Sequence, residues 1–207
     1  MSPAAGAAVL DQLAGWLGGW SYDWDAGYAS YRRTVAGEAD AADAARALVF
    51  VHRSHALQSA MLARAEGAEP PLRVAALLHD IGHSFAAPAP AGREAGYDDK
   101  HEVIGALWLA QVFVDEVAPP VLHHVAAKRY LVATRPDYAA RLAPDSVLSL
   151  AAQGGGMSRD EIAAFETLPG WREAVRLRVW DDAAKEWSLR FAPLDSFRPE
   201  LLATLRS

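Results

Sequence analysis

His79 and Asp80 stand side by side in Val74-Ala75-Ala76-Leu77-Leu78-His79-Asp80-Ile81-Gly82-His83, where an apolar helical run delivers an imidazole and a carboxylate together and a glycine ends the run. That pairing suits a borderline or hard metal ion better than a packed core. A His-Asp dipeptide alone would say little. Here it is accompanied, at helix-like intervals, by His55, His101, His124 and Asp181. His79 and His83 are four apart, as are His124 and Lys128, while Arg178 and Asp181 are three apart. Such spacings place each pair on one helical face. Faces of this kind turned toward a shared interior are how helical bundles build metal sites.

The elements that must carry these residues read as helices almost throughout. Alanine is abundant and apolar residues recur three and four apart, which predicts an all-α chain. Helices are predicted over residues 7–17, 40–66, 71–81, 100–114, 119–133, 144–152, 158–166 and 170–185, with a weaker pattern after Pro193. Pro70 and Pro71 start one of them, and Asp145 and Ser158 are candidate caps for two others. The Gly/Trp/Tyr-rich stretch from Gly18 to Tyr31 has no assigned element. Residues 85–99 hold two prolines and two glycines and should form a loop beside the metal motif, in the place a lid would occupy.

With 207 residues, no repeat and no linker-like stretch, the chain is expected to be a single domain over 1–207. No apolar run could span a bilayer and no leader pattern opens the sequence, so a soluble cytoplasmic protein without membrane contact is expected. There is no cysteine, which leaves transition metals only His and carboxylate ligands. A net charge of −6 without a Lys/Arg cluster argues against a nucleic-acid partner.

The pattern of a His, a His-Asp pair, further histidines and a late Asp resembles the HD domain. The resemblance extends to the HD-domain mixed-valent di-iron oxygenases that cleave carbon–phosphorus bonds, the 2-amino-1-hydroxyethylphosphonate dioxygenases among them. It is carried by His55-Ala56-Leu57-Gln58-Ser59-Ala60, Leu77 to His83, His101-Glu102, His124 to Tyr130 and Arg178 to Lys185, and so covers residues 50–185. It implies an HD-domain helical bundle with a metal site in its core. His55, His79, Asp80 and Asp181 would hold one iron, and Asp80 would bridge to a second held by His101 and His124. It also implies an Fe(II)/Fe(III) pair, O2 as co-substrate and a small organophosphonate as substrate. Lys128, Ser146, Gln153 and Arg178 are similar to the family's phosphonate contacts, and Arg178 suits paired hydrogen bonds to two phosphonate oxygens. His83 would back the metal or touch the substrate, as a catalytic residue beside Asp80.

Plainer readings exist for each residue. A single histidine on an apolar face is ordinarily a hydrogen-bonded core residue, but six residues on one family pattern make that an unsatisfactory account. His52 and His123 each adjoin a better-placed histidine and are expected to be surface or packing residues. Asp182 is the rival of Asp181, and Arg178 three residues earlier favours Asp181. Lys128 and Arg178 could instead form surface ion pairs of little energetic value. One departure from the family stands out. Its oxygenases carry a Tyr-x-Gly-Glu element shortly before the first histidine, the tyrosine covering the open iron and the glutamate reading the substrate amine. Residues 45–54 contain neither type, leaving Tyr28, Tyr31 and Gly37-Glu38 as candidates only across an insertion.

Three functions compete. The first is an O2-dependent di-iron oxygenase that cleaves the C–P bond of a 1-hydroxyphosphonate, releasing phosphate and a carboxylic acid. The second is a metal-dependent HD phosphohydrolase acting on a nucleotide or other phosphate ester through metal-activated water. The third is a non-catalytic, ligand-binding HD protein.

Overall fold

The computed structural model describes residues 3–86 and 98–206. Within them the chain forms ten α-helices, and the sole strand-like feature is an antiparallel bridge between Phe113 and Leu205. The helices are α1 (Pro3–Trp16), α2 (Trp24–Val35), α3 (Ala41–Ala65), α4 (Pro70–Leu78), α5 (His101–Val112), α6 (Ala118–Thr134), α7 (Pro144–Ala152), α8 (Arg159–Phe165), α9 (Trp171–Ala183) and α10 (Arg198–Thr204). The all-α expectation therefore holds. Most of the expected loop over 85–99 lies outside the described residues.

Local chemistry explains most boundaries. Prolines open α4, as expected, and Ser158 caps α8 in a reciprocal box with Glu161. Helix α7 begins at Pro144 with Ala143 in the cap position, so Asp145 lies inside the helix rather than capping it. The unassigned stretch holds α2, whose N-cap Asp23 accepts from the Ala26 amide. Its Trp24, Tyr28 and Tyr31 recur at four and three and gather around Phe50 of α3.

Helix α4 is the axis of the core. Leu72 and every residue from Val74 to Leu78 are buried, packed by α3, α6, α9 and α10. Each fully buried leucine there stabilises the fold by about 1.5–3 kcal/mol. Helix α3 presents Ala56, Ala60 and Ala63, small residues that let α4 approach closely. Its buried Arg53 donates to the Leu17 and Gly19 carbonyls and so fixes the α1–α2 connection two residues before His55.

The boundary that bears on the site differs from expectation. The helix predicted over 71–81 ends at Leu78, and Ile81–Ser84 form a 3₁₀ turn. The cause is tertiary. Gly82 presses against α5 so tightly that a Cβ there would lie 1.9 Å from the His101 carbonyl oxygen, and its backbone also meets Gly105. A continuing helix could not make that contact. His79 and His83 consequently do not share a helical face: His79 is buried, while the His83 side chain is 40% exposed.

Candidate metal centre and its cavity

Three helices and the turn after α4 bring one group of donors together. His55 from the middle of α3, His79 at the end of α4 and Asp181 from α9 converge, each with a ligand atom in reach of a common ion. The Nε2 atoms of His55 and His79 lie 3.1 Å apart, and Asp181 Oδ1 is 3.2 Å from the former. A second group joins Asp80, His101 at the start of α5 and His124 of α6, whose imidazole Nε2 atoms are 3.2 Å apart. Asp80 stands between the two groups. Its Oδ2 is 3.5 and 3.4 Å from His55 and His79, while its Oδ1 is 3.6 and 3.9 Å from His101 and His124. One carboxylate thus offers one oxygen to each group.

The protonation of the rings tests whether a metal fits. His55, His79 and His124 direct Nδ1 to the carbonyls of Ala184, Ala76 and Val121 at 2.9, 2.9 and 2.7 Å. A carbonyl only accepts, so each Nδ1 carries the proton and each Nε2 keeps its lone pair. His55 and His79 then turn two lone pairs toward each other, an arrangement that calls for a cation. Ligand separations near 3 Å are those of neighbouring positions around a metal with bonds of about 2.1 Å. Four imidazoles and two carboxylates without thiolates suit iron, with coordination positions left over.

Electrostatics points the same way. Burial pushes His79 and His124 below the usual histidine range, keeping them neutral and able to ligate. Burial also opposes charge on His55, but the hydrogen bond to Asp181 and the Asp181 and Asp80 carboxylates together outweigh this and raise it, the pull of a site that favours a positive charge. Burial works against the ionised forms of Asp80 and Asp181. The surrounding imidazoles nonetheless hold Asp80 low, and Arg178 leads in holding Asp181 low.

The donors open into a cavity of about 720 Å³. Lys128 and Arg178 line it, with Ser146 and Gln153 beside them. Lys128 Nζ donates to Ser149 Oγ at 2.7 Å, and burial, with Arg178 nearby, lowers its pKa to about 8. Gln153 Oε1 is buried without a partner. Arg178 differs from expectation: its Nε and Nη2 pair with Asp182 and its Nη1 lies 2.7 Å from Asp181 Oδ2. Two adjacent acids so close to it on α9 take the paired donors that a phosphonate would otherwise receive. Asp182 is held there by Arg178 and by the Tyr138 hydroxyl, away from the histidines, and Asp181 alone of the two joins them.

Other residues were not anticipated. His52 is exposed, as expected, yet it also lines the cavity, because one turn before His55 on α3 it shares that face; His123 packs on Phe165, as expected of a packing residue. Lys185, four after Asp181, lines the cavity with Nζ 3.4 Å from Ser146 Oγ, the same oxygen that Arg178 Nη2 approaches. Ser149, Trp187 and Asp99 also lie in the wall. The i+3 and i+4 spacings could have found Ser149 and Lys185. Tyr28, Tyr31 and Glu38 are absent from the wall: the tyrosines belong to the aromatic group on Phe50, and Glu38 is exposed.

The sequence matches the HD domain family over residues 53–151. It is 39% identical over 145 residues to the [1-hydroxy-2-(trimethylamino)ethyl]phosphonate dioxygenase (glycine-betaine-forming) of Leisingera caerulea, covering 70% of this chain and 74% of that one. It is 41% identical over 152 residues to the hydroxymethylphosphonate dioxygenase of Gimesia maris, covering 73% and 76%.

Proposed function

The chain belongs to the family of HD-domain phosphonate dioxygenases, and from that premise we propose that it cleaves the carbon–phosphorus bond of a 1-hydroxyphosphonate with O2 and two iron ions. The products would be phosphate and a carboxylic acid. Both atoms of O2 end in the products, and its four-electron reduction balances oxidation of the hydroxyl-bearing carbon. The observation that carries this reading is the division of Asp80, one oxygen toward each histidine pair. His55, His79 and Asp181 would hold one iron and His101 and His124 the other, and the bound pair would supply the redox chemistry that activates O2. Residues 1–207 are taken as one HD domain.

The protein's own residues place the substrate. Lys128, Lys185 and the Ser146 hydroxyl form a cationic, hydrogen-bonding end for the phosphonate, with the unpartnered Gln153 amide oxygen able to accept from a hydroxyl. Arg178 adds field rather than a bidentate clamp, since its fork is engaged by Asp182. His83 donates a hydrogen bond from Nδ1–H to Asp99 and keeps an Nε2 lone pair near Asp80, where it can take the substrate hydroxyl proton. Among the described residues, the acids in the wall are Asp80, Asp99 and Asp181, each facing histidines or Arg178. None remains for a primary ammonium. Trp187 lines the same wall, and an indole is a residue type that can bind a quaternary ammonium.

The test is phosphate release by the iron-loaded chain from three compounds: hydroxymethylphosphonate, its 2-trimethylaminoethyl analogue and the primary amine analogue. Turnover that requires O2, with the amine the poorest substrate, is expected. O2-independent hydrolysis of phosphate esters by the Mn- or Mg-loaded chain, without C–P cleavage, would instead establish a phosphohydrolase.

A further inference from the structure

Three of the four histidines in the two donor groups send Nδ1 to a backbone carbonyl. His101 is different. Its Nδ1 meets a side chain, Asp99 Oδ1, at 2.9 Å. The other oxygen, Asp99 Oδ2, is 2.6 Å from His83 Nδ1. The two rings so joined stack with centroids 3.9 Å apart and planes 20° from parallel. The backbone is shaped around this contact. Lys100, directly after Asp99, is the one non-glycine residue with positive φ among those described, at 57°, a conformation that costs an L-residue and persists where the surroundings demand it. On the opposite side, Gly82 without a Cβ lets the His83 turn close on the His101 backbone.

We infer that Asp99 is a positioning residue for the second metal, which it governs by fixing the protons of His101 and His83 together. This rests on the proposed reading of His101 as a ligand and goes beyond it. A carboxylate has two acceptor oxygens and no proton, so it can hold Nδ1–H of both rings at once. Both Nε2 lone pairs then face Asp80, at 3.6 Å from His101 and 3.9 Å from His83. An amide in its place has one acceptor and one donor. One ring would have to reverse its tautomer, put its proton on Nε2 and withdraw its lone pair from the site. Because His83 and His101 share the carboxylate, the cavity-facing ring and the metal-facing ring are set as one unit. No comparable side chain backs His55 or His79, so the first group should not notice the change.

The experiment is anaerobic titration of the full chain with Fe(II) alone, reading equivalents bound and affinities, followed by EPR after partial oxidation. Asp99→Asn is expected to bind the first iron as the wild type does and the second about 10–100-fold more weakly. The spin-coupled two-iron signal should fall accordingly, with the melting temperature little moved. Asp99→Glu keeps both acceptors and should recover most of the affinity. Asp98→Asn, in the same segment but paired with Lys100, should behave as the wild type. Wild-type affinity and signal in Asp99→Asn would overturn the inference. So would an Asp99→Glu chain no better than Asp99→Asn, or equal loss in Asp98→Asn, since either assigns the effect to the fit of the segment. A third equivalent in the wild type that Asp99→Asn lacks would make Asp99 a ligand of its own ion, with His83 and His101, and also overturn it. A wild-type chain that takes up one iron would overturn the two-iron reading as well.

Discussion

The two donor groups are built differently although they share Asp80. In the first, His55 and His79 are oriented by carbonyls of the helical framework, and Asp181 is gripped by Arg178. Its parts come from α3, α4 and α9, the helices that also form the core. In the second, His124 follows the same rule, but His101 depends on Asp99, a side chain in a segment without regular structure. The first group is therefore set by the same packing that folds the chain. The second is set by a few side chains and by one close backbone contact at Gly82. The contrast implies that substitutions should empty the second position without unfolding the protein, whereas damage to the first should be felt in stability too.

The largest effect should come from the residue that belongs to both. Asp80→Ala is expected to lose both metals and to lower kcat/KM by more than about 100-fold, an effect beyond that of removing a residue which only backs a ligand. Metal analysis of the purified variant alongside phosphate release would show it. Retention of one full equivalent would mean that the groups are less joined than the geometry indicates.

Next is Gly82→Ala. The added Cβ meets a backbone carbonyl at 1.9 Å, which cannot swing away, so α5 or the turn must shift. A loss of about 1–3 kcal/mol is expected from such overpacking. It should appear as a lowered melting temperature together with loss of the second iron, while the first remains. Equal loss of both would erase the distinction between the groups.

How far the sequence disclosed this arrangement depended on what fixes each residue. The helices carrying His55, His124 and Asp181 repeat apolar residues every three or four positions, so both the elements and their inward faces could be read. The end of α4 could not. The apolar pattern runs on through Ile81, and what stops the helix is α5 arriving against Gly82, a contact between parts distant in the chain. That is why His83 was placed on the same face as His79. Helix α2 was legible in principle, since Trp24, Tyr28 and Tyr31 have helical spacing, but its Gly27 and large aromatics concealed it. Asp99 lies outside any periodic element and carried no signal. The spacing of Arg178 to Asp181 was informative, yet spacing cannot say which of two adjacent acids takes a guanidinium's paired donors.

The cationic end of the cavity permits a subtler comparison, this time in pH. Lys128 titrates at about 8, because burial and Arg178 disfavour its charge. Below that pH it is protonated and attracts the phosphonate; as pH rises through 8 it becomes neutral and the attraction is lost. KM should therefore climb above pH 8, with kcat less affected. Lys128→Gln should raise KM by about 10-fold or more at pH 7, as expected for loss of a hydrogen bond to a charged group, and should flatten that limb. A wild-type limb unchanged in the variant would place the titrating group elsewhere.

Lys185 should matter least of the two lysines, for a reason visible in its setting. Its side chain is 29% exposed, against a buried Lys128, and its ammonium already has Asp181 at 4.0 Å and the Ser146 hydroxyl at 3.4 Å. Water screens such a charge, so its contribution to holding a phosphonate should be small. Lys185→Met, which keeps the chain's apolar stem, should raise KM only about 2–5-fold, the scale of an exposed ion pair. Added salt should shrink that difference further. A loss as large as that of Lys128→Gln would show that bound substrate shields Lys185 from water, and would move the phosphonate toward the α9 side of the cavity.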